Sequence, residues 1–107
     1  MPIIRIDYDD DKVEEKDILS LSEAIQKIVS ESTKIEDVFV YANSSQIKIK
    51  VAPIEIFVEM SAHKIKDLNE LMSDIKSRLS QWKQETSFQY MINLTITPMP
   101  WKIEIGI

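Results

Sequence analysis

Ile18, Leu21, Ile25, Ile28 and Val29 recur at intervals of three and four residues, which predicts an amphipathic helix ending near Thr33. A second stripe, Ile65, Leu68, Met72, Ile75, Leu79 and Trp82, has Lys, Asp, Glu and Arg on its opposite side and predicts a second helix. Both stripes read as core. The opening Met1-Pro2-Ile3-Ile4-Arg5-Ile6 predicts a strand, because its isoleucines are β-branched and a proline at the first strand position costs no ladder bond. Val38-Phe39-Val40-Tyr41-Ala42 predicts a short strand closed by the turn formers Asn43-Ser44-Ser45. Gln46-Ile47-Lys48-Ile49-Lys50-Val51 alternates strictly and predicts an edge strand whose lysines discourage pairing, ended by Pro53. Residues 54–60 place Ile54, Ile56, Val58 and Met60 on one face and Glu55, Phe57 and Glu59 on the other. Residues 88–97 predict the longest strand, stopped by Pro98 and Pro100, and residues 101–105 a last short one.

The predicted fold is α+β, in the order β-α-β-β-α-β with a small hairpin in the middle. Halved, it is two β-α-β units, and two helices with one apolar stripe each lie naturally side by side on one face of a four-stranded mixed sheet. The other face then carries Arg5, Phe39, Tyr41, Glu55, Phe57, Met91 and Asn93, too mixed for a second core and too aromatic for water, which makes it a candidate subunit interface.

Composition narrows the function. A chain of 107 residues with 44% hydrophobic content is read as a single domain spanning 1–107. Eighteen acidic residues against thirteen basic ones, a net charge of -5, argue against a nucleic-acid partner, which needs a cationic footprint. Cysteine is absent and His63 is the lone histidine, so no zinc site is expected, and His63 reads as a surface or capping residue. With one glycine, Gly106, there is no phosphate-cradling loop. The run from Asp9 to Asp17 reads as a solvated loop entering a helix, since the spaced ligands and turn glycine of a calcium loop are missing; Ser20 and Glu23 offer a later, capping-box start. No membrane-spanning run and no signal-peptide pattern occur, so the expectation is a soluble, cytoplasmic protein with no membrane partner, metal or cofactor.

The candidate chemistry begins at Pro2. Trimming of Met1 would leave Pro2 with a free secondary amine at the head of a buried strand. A free α-amine titrates near ~7.7–8.0, and apolar surroundings disfavour its charged form, which suits a general base. With Met1 retained, that nitrogen is an amide and no base.

Several short stretches carry a resemblance to the tautomerase superfamily, most nearly its longer two-unit members, macrophage migration inhibitory factor and 5-carboxymethyl-2-hydroxymuconate isomerase. Pro2-Ile3-Ile4-Arg5-Ile6 resembles the superfamily's amino-terminal strand with its catalytic proline. Ser32-Thr33-Lys34, followed by Asp37-Val38-Phe39-Val40, resembles the place of an active-site lysine. Ser61-Ala62 falls where a backbone contact to substrate is made, and Met91-Ile92-Asn93 is similar to a Tyr-Ile-Asn pocket motif, with methionine in place of the tyrosine.

The resemblance implies a homotrimer with pockets between neighbouring subunits, Asn93 being contributed by a neighbouring chain. It also implies proton transfer α to a carbonyl of a small keto or enol acid, with Pro2 as base and Lys34 holding a carboxylate or enolate oxygen. Lys34 has a purely structural reading as well, since a cation after a helix satisfies its terminal carbonyls. Two other functions fit the same pattern. One is a catalytically silent trimer of this fold that binds or supports partners. The other is a ferredoxin-like regulatory domain for small ligands, in which the first and last long strands pair antiparallel.

Overall fold

The computed structural model describes all 107 residues. Its elements are β1 (Ile3–Tyr8), α1 (Glu15–Thr33), β2 (Phe39–Asn43), β3 (Ile54–Ser61), a 3₁₀ turn (Ala62–Lys64), α2 (Leu68–Thr86) and β4 (Ile92–Met99). One four-stranded sheet runs in the order β2-β1-β3-β4, with β1 parallel to β2, β3 parallel to β4, and β1 antiparallel to β3. The chain is therefore two β-α-β units joined through their first strands, as the order of patterns predicts. The ferredoxin-like arrangement is excluded, because β1 and β4 are not neighbours.

Strand alternation decides which face is core. Ile4 and Ile6 of β1 stand opposite Val58 and Ile56 of β3, and all four are fully buried. Ile18, Leu21, Ile25, Ile28 and Val29 of α1, with Ile75 and Leu79 of α2, close over them. Each fully buried isoleucine contributes about 1.5–3 kcal/mol relative to exposure.

Several boundaries differ from the periodicity. α1 starts at Glu15, so Ser20 and Glu23 lie inside it, and α2 starts at Leu68 because the Asp67 carboxylate accepts from the Glu70 N–H at 3.1 Å as an N-cap. His63 caps neither helix and sits exposed in the 3₁₀ turn. Residues 88–90 extend no strand. They follow the left-handed Ser87, with Phe88 stacked between Trp82 and Tyr90 at centroid distances of 5.0 and 5.3 Å. Pro98 does not stop β4: it pairs in register with Met60, which the open edge of an outer strand permits. Residues 101–107 form no strand.

The largest departure is 46–51, which forms neither a strand nor a hairpin with β2. Lys48 turns inward, its side chain only 15% exposed, to carboxylates on three consecutive aspartates: Asp9 at 3.0 Å, Asp11 at 3.5 Å and, closest of all, Asp10. Ile47 and Ile49 turn outward and are 88% and 100% exposed. The Asp9–Asp11 turn is itself tied down, since the Asp9 N–H donates to the Pro53 carbonyl at 3.0 Å and the Asp11 N–H to the Asp9 carboxylate at 3.1 Å. Asp9 is thus buried rather than solvated.

The Lys48 ammonium holds Asp9 and Asp10 below the usual carboxylate range, and the two carboxylates in turn push Lys48 up. Depressed carboxylates give stability that is present above their unfolded value and lost as pH falls through the folded one, whereas a raised ammonium gives stability lost on the alkaline side. The loss of thermal stability on Lys48→Met is therefore expected to be greatest near neutrality. It shrinks below about pH 4 and above about pH 10.4, the unfolded values for Asp and Lys, and melting curves of both proteins across pH check it. In the core, Ile6→Ala is expected to cost about 2–5 kcal/mol in urea unfolding, while Leu19→Ala on the exposed side of α1 stays within about 0.5 kcal/mol.

Candidate active site

Pro2 precedes β1 on the same alternation as Ile4 and Ile6, and less than 2% of it is exposed. Its carbonyl accepts from the Phe39 N–H at 3.2 Å, so the start of β2 fixes the position of the proline. Met1, half-buried, continues from its nitrogen. β3 runs antiparallel to β1, which brings Ser61 and Ala62 to this end of the sheet, and α1 runs back along its β-α-β unit to deliver Lys34 there as well. Four of the residues singled out from the sequence, Pro2, Lys34, Ser61 and Ala62, therefore gather at one end of the sheet.

Lys34 is the C-cap of α1 and holds a left-handed backbone, φ 61° and ψ 30°. Such a conformation suits glycine and costs a side-chain-bearing residue roughly 1–2 kcal/mol. Ser87 caps α2 in the same conformation with φ 56°, so the strain at Lys34 follows from a chain with one glycine and marks no function by itself.

Ser61 is buried, and its hydroxyl accepts from the Trp101 indole N–H at 2.8 Å. That contact folds the segment after β4 back onto the end of β3. Trp101 reads from the sequence only as a strand or packing residue. The signal that could have singled it out is its place just beyond Pro98 and Pro100, where the strand has to end and the chain can turn back.

Asn93 and Met91 stand elsewhere. Ile3 shares its row of the sheet with Glu59 and Thr97, whereas Asn93 lies four positions earlier in β4, in the row of Asp7 and Glu55. Four residues of strand span about 13 Å. Met91, 76% exposed, precedes β4 at that same far end. Within one chain the Pro2 end and the Asn93 end do not meet.

Between them runs the face without helices. Its rows are Phe39, Ile3, Glu59 and Thr97; Tyr41, Arg5, Phe57 and Thr95; and Asn43, Asp7, Glu55 and Asn93. The Arg5 guanidinium stacks 4.4 Å from the centre of the Phe57 ring and pairs with Asp7 at 3.2 Å. With both groups nearly half exposed, the pair orients Arg5 more than it stabilises the fold.

On the helix side, a groove of about 650 Å³ opens between the end of α1 and the start of α2, with Ser32, Thr33, Met60, Ile65, Asp74 and Ser77 among its walls. Pro2 and Lys34 do not line it. The Ser32 hydroxyl is buried without a partner in good hydrogen-bond geometry, yet it lies near enough to Asp74 to hold that carboxylate below its usual range, helped by Arg78, which pairs with Asp74 at 3.1 Å.

Asp9, Asp10 and Asp11 bring their carboxylates within 4.8 Å of one another, close enough to share a cation, and Lys48 supplies that charge. Nothing in the sequence pattern flags this, since Lys48 sits in what reads as an ordinary edge strand. No helix is long and apolar enough to cross a membrane.

No family model and no curated protein matches the chain. Solved structures do. A domain of unknown function (DUF1904) from Sebaldella termitidis superposes with a TM-score of 0.68 at 12% identity, over 100% of this chain and 98% of that one. Malonate semialdehyde decarboxylase, also studied with its first-residue proline changed to alanine, superposes with a TM-score of 0.70 at 10% identity over 98% and 92%. A fused 4-OT, solved as an asymmetric trimer, gives 0.63 at 10% identity over 91% and 85%. The two joined β-α-β units of this chain share the fold of these structures, the tautomerase fold.

Proposed function

We propose that the protein is a cofactor-free tautomerase that moves a proton α to a carbonyl of a small keto or enol acid, with Pro2 as general base once Met1 is removed. The observation that carries the reading is the place of Pro2: buried, at the head of the central strand, at the same sheet end as Lys34, Ser61 and Ala62. Removal of Met1 uncovers a secondary amine among apolar neighbours, where the neutral form is favoured at working pH. Its lone pair takes the proton from the carbon beside the carbonyl, and Lys34 stabilises the oxygen on which negative charge develops. The protonated amine then returns the proton to the enolate oxygen or to another carbon of the conjugated system, so the base is regenerated and nothing is oxidised or reduced. Ser61 and Ala62 offer backbone groups to the substrate.

The reading includes self-association, as a homotrimer. It is supported by a sheet face that exposes Phe39 and Tyr41, by the separation of Asn93 and Met91 from Pro2 within one chain, and by the trimer formed by the fused 4-OT. Asn93 then reaches a neighbour's Pro2, and Met91 forms an apolar wall where the superfamily resemblance leads one to expect a tyrosine. A second reading is a silent protein of the same fold: with Met1 retained, the Pro2 nitrogen is an amide with no lone pair to offer.

Intact-mass measurement of the native protein together with phenylpyruvate or 2-hydroxymuconate tautomerisation tests the reading. The expected outcome is a chain lacking Met1 whose rate falls about 10²- to 10⁴-fold on Pro2→Ala, the range of a lost general base. Equal rates in the two proteins remove Pro2 from the mechanism, and uniform retention of Met1 leaves only the silent reading.

A further inference from the structure

A hollow of about 530 Å³ opens on the helix side of the sheet, at the end opposite Pro2, where α1 begins and α2 gives way to β4. Asp17, Ser20, Trp82, Thr86, Phe88 and Tyr90 are among its walls. Its size falls within the roughly 300–1,000 Å³ of small-molecule sites. Three aromatic rings meet there, with Phe88 centred 5.0 Å from Trp82 and 5.3 Å from Tyr90. All three are half-buried, packed against the core and also bordering the hollow.

The charge at the hollow has one sign. Asp17 is among its walls, and no lysine or arginine is. The cations of the two elements that form it are turned to other partners: Lys16, beside Asp17, pairs with Glu14 at 3.3 Å, and Lys83 donates to the Tyr90 carbonyl at 2.6 Å. Asp17 itself forms no ion pair. A helix dipole favours a carboxylate in the first turn, and exposed Glu15 already supplies one. Asp17 differs in standing half-buried at the aromatic hollow.

Two carbonyls beside the rings are already taken. Trp82 accepts from the Thr86 hydroxyl at 2.7 Å, and Tyr90 accepts from Lys83. A guest rich in N–H donors would therefore leave some of them unmet, at a cost. A quaternary ammonium has no N–H to satisfy, and its charge is attracted by the faces of aromatic rings.

We propose that this hollow binds an organic cation of the quaternary ammonium class, its methyl groups against Trp82 and Tyr90 and its charge countered by Asp17. The site is separate from the proline end and holds whether or not Pro2 acts as a base.

Isothermal titration calorimetry of the full chain with choline chloride tests it, with 3,3-dimethylbutan-1-ol as the neutral molecule of the same shape. Choline is expected to bind saturably and the alcohol at least about tenfold more weakly. Asp17→Asn and Trp82→Leu are each expected to weaken choline binding at least about tenfold. Glu70→Gln removes an exposed carboxylate at the other end of α2 and is expected to leave binding unchanged. Circular dichroism verifies that each variant is folded, and the near-isosteric Asp17→Asn decides alone if loss of the Trp82 indole unfolds the chain. Absence of saturable choline binding, equal binding of the alcohol, or natural affinity in folded Asp17→Asn or folded Trp82→Leu overturns the site. Equal weakening by Glu70→Gln also overturns it, since that is diffuse attraction to a chain of net charge -5.

Discussion

The antiparallel pairing of β1 with β3 is the constraint on which the rest of the molecule depends. It joins the two β-α-β units through their first strands, and because Ile4 faces the same way as Val58, and Ile6 as Ile56, it commits both helices to one side. A shift of one residue in that register would turn every buried isoleucine of one strand to the wrong face. The same pairing leaves the opposite face uncovered, and it sets Asp7 against Glu55 there. Core, bare face and proline-bearing end are consequences of one register.

That division explains what could be read from the sequence. The apolar stripes of α1 and α2, the alternation of 54–60 and the β-branched opening of β1 all answer to a core inside a single chain and fall where the periodicity puts them, except that Ile65 lies before α2 and Leu68, its first residue, is exposed. Periodicity failed at 46–51 because alternation says only that two sides differ; it does not say which side faces the protein. Three carboxylates outweighed two isoleucines in that choice, a matter of charges about forty residues apart that no local window contains. Pro98 misled for a related reason. A proline forbids a central strand, but β4 is an edge, and only the strand order shows it. The early start of α1 and the late start of β4 reflect caps, at Glu14 and Ser87, whose backbone conformations composition leaves open.

Of the candidate residues read from the sequence, four share one end of the sheet and two stand at the other. Pro2, Lys34, Ser61 and Ala62 come together because strand starts, strand ends and a helix C-terminus share an end of the sheet whenever β-α-β units are joined in this way. Asn93 and Met91 do not join them, since β4 runs parallel to β3 and begins at the far end. The contact of Trp101 with the Ser61 hydroxyl escaped the sequence reading, which has Trp101 only in a strand, because it depends on the chain turning back after Met99.

On the proposed reading, chemistry and assembly are one problem. A proline base works only when its amine is kept largely neutral and its surroundings exclude water, and a chain of this size with one covered sheet face has limited means to wall off a pocket by itself. The end that carries Pro2 supplies a base, a cation and backbone groups, but the amide of Asn93 stands about 13 Å along the strand from the row beside it. In the proposed trimer a neighbouring copy closes that gap without unfolding the sheet. The exposed aromatics of the bare face are costly in water, and in the proposed trimer that cost is relieved by the contact that completes the site.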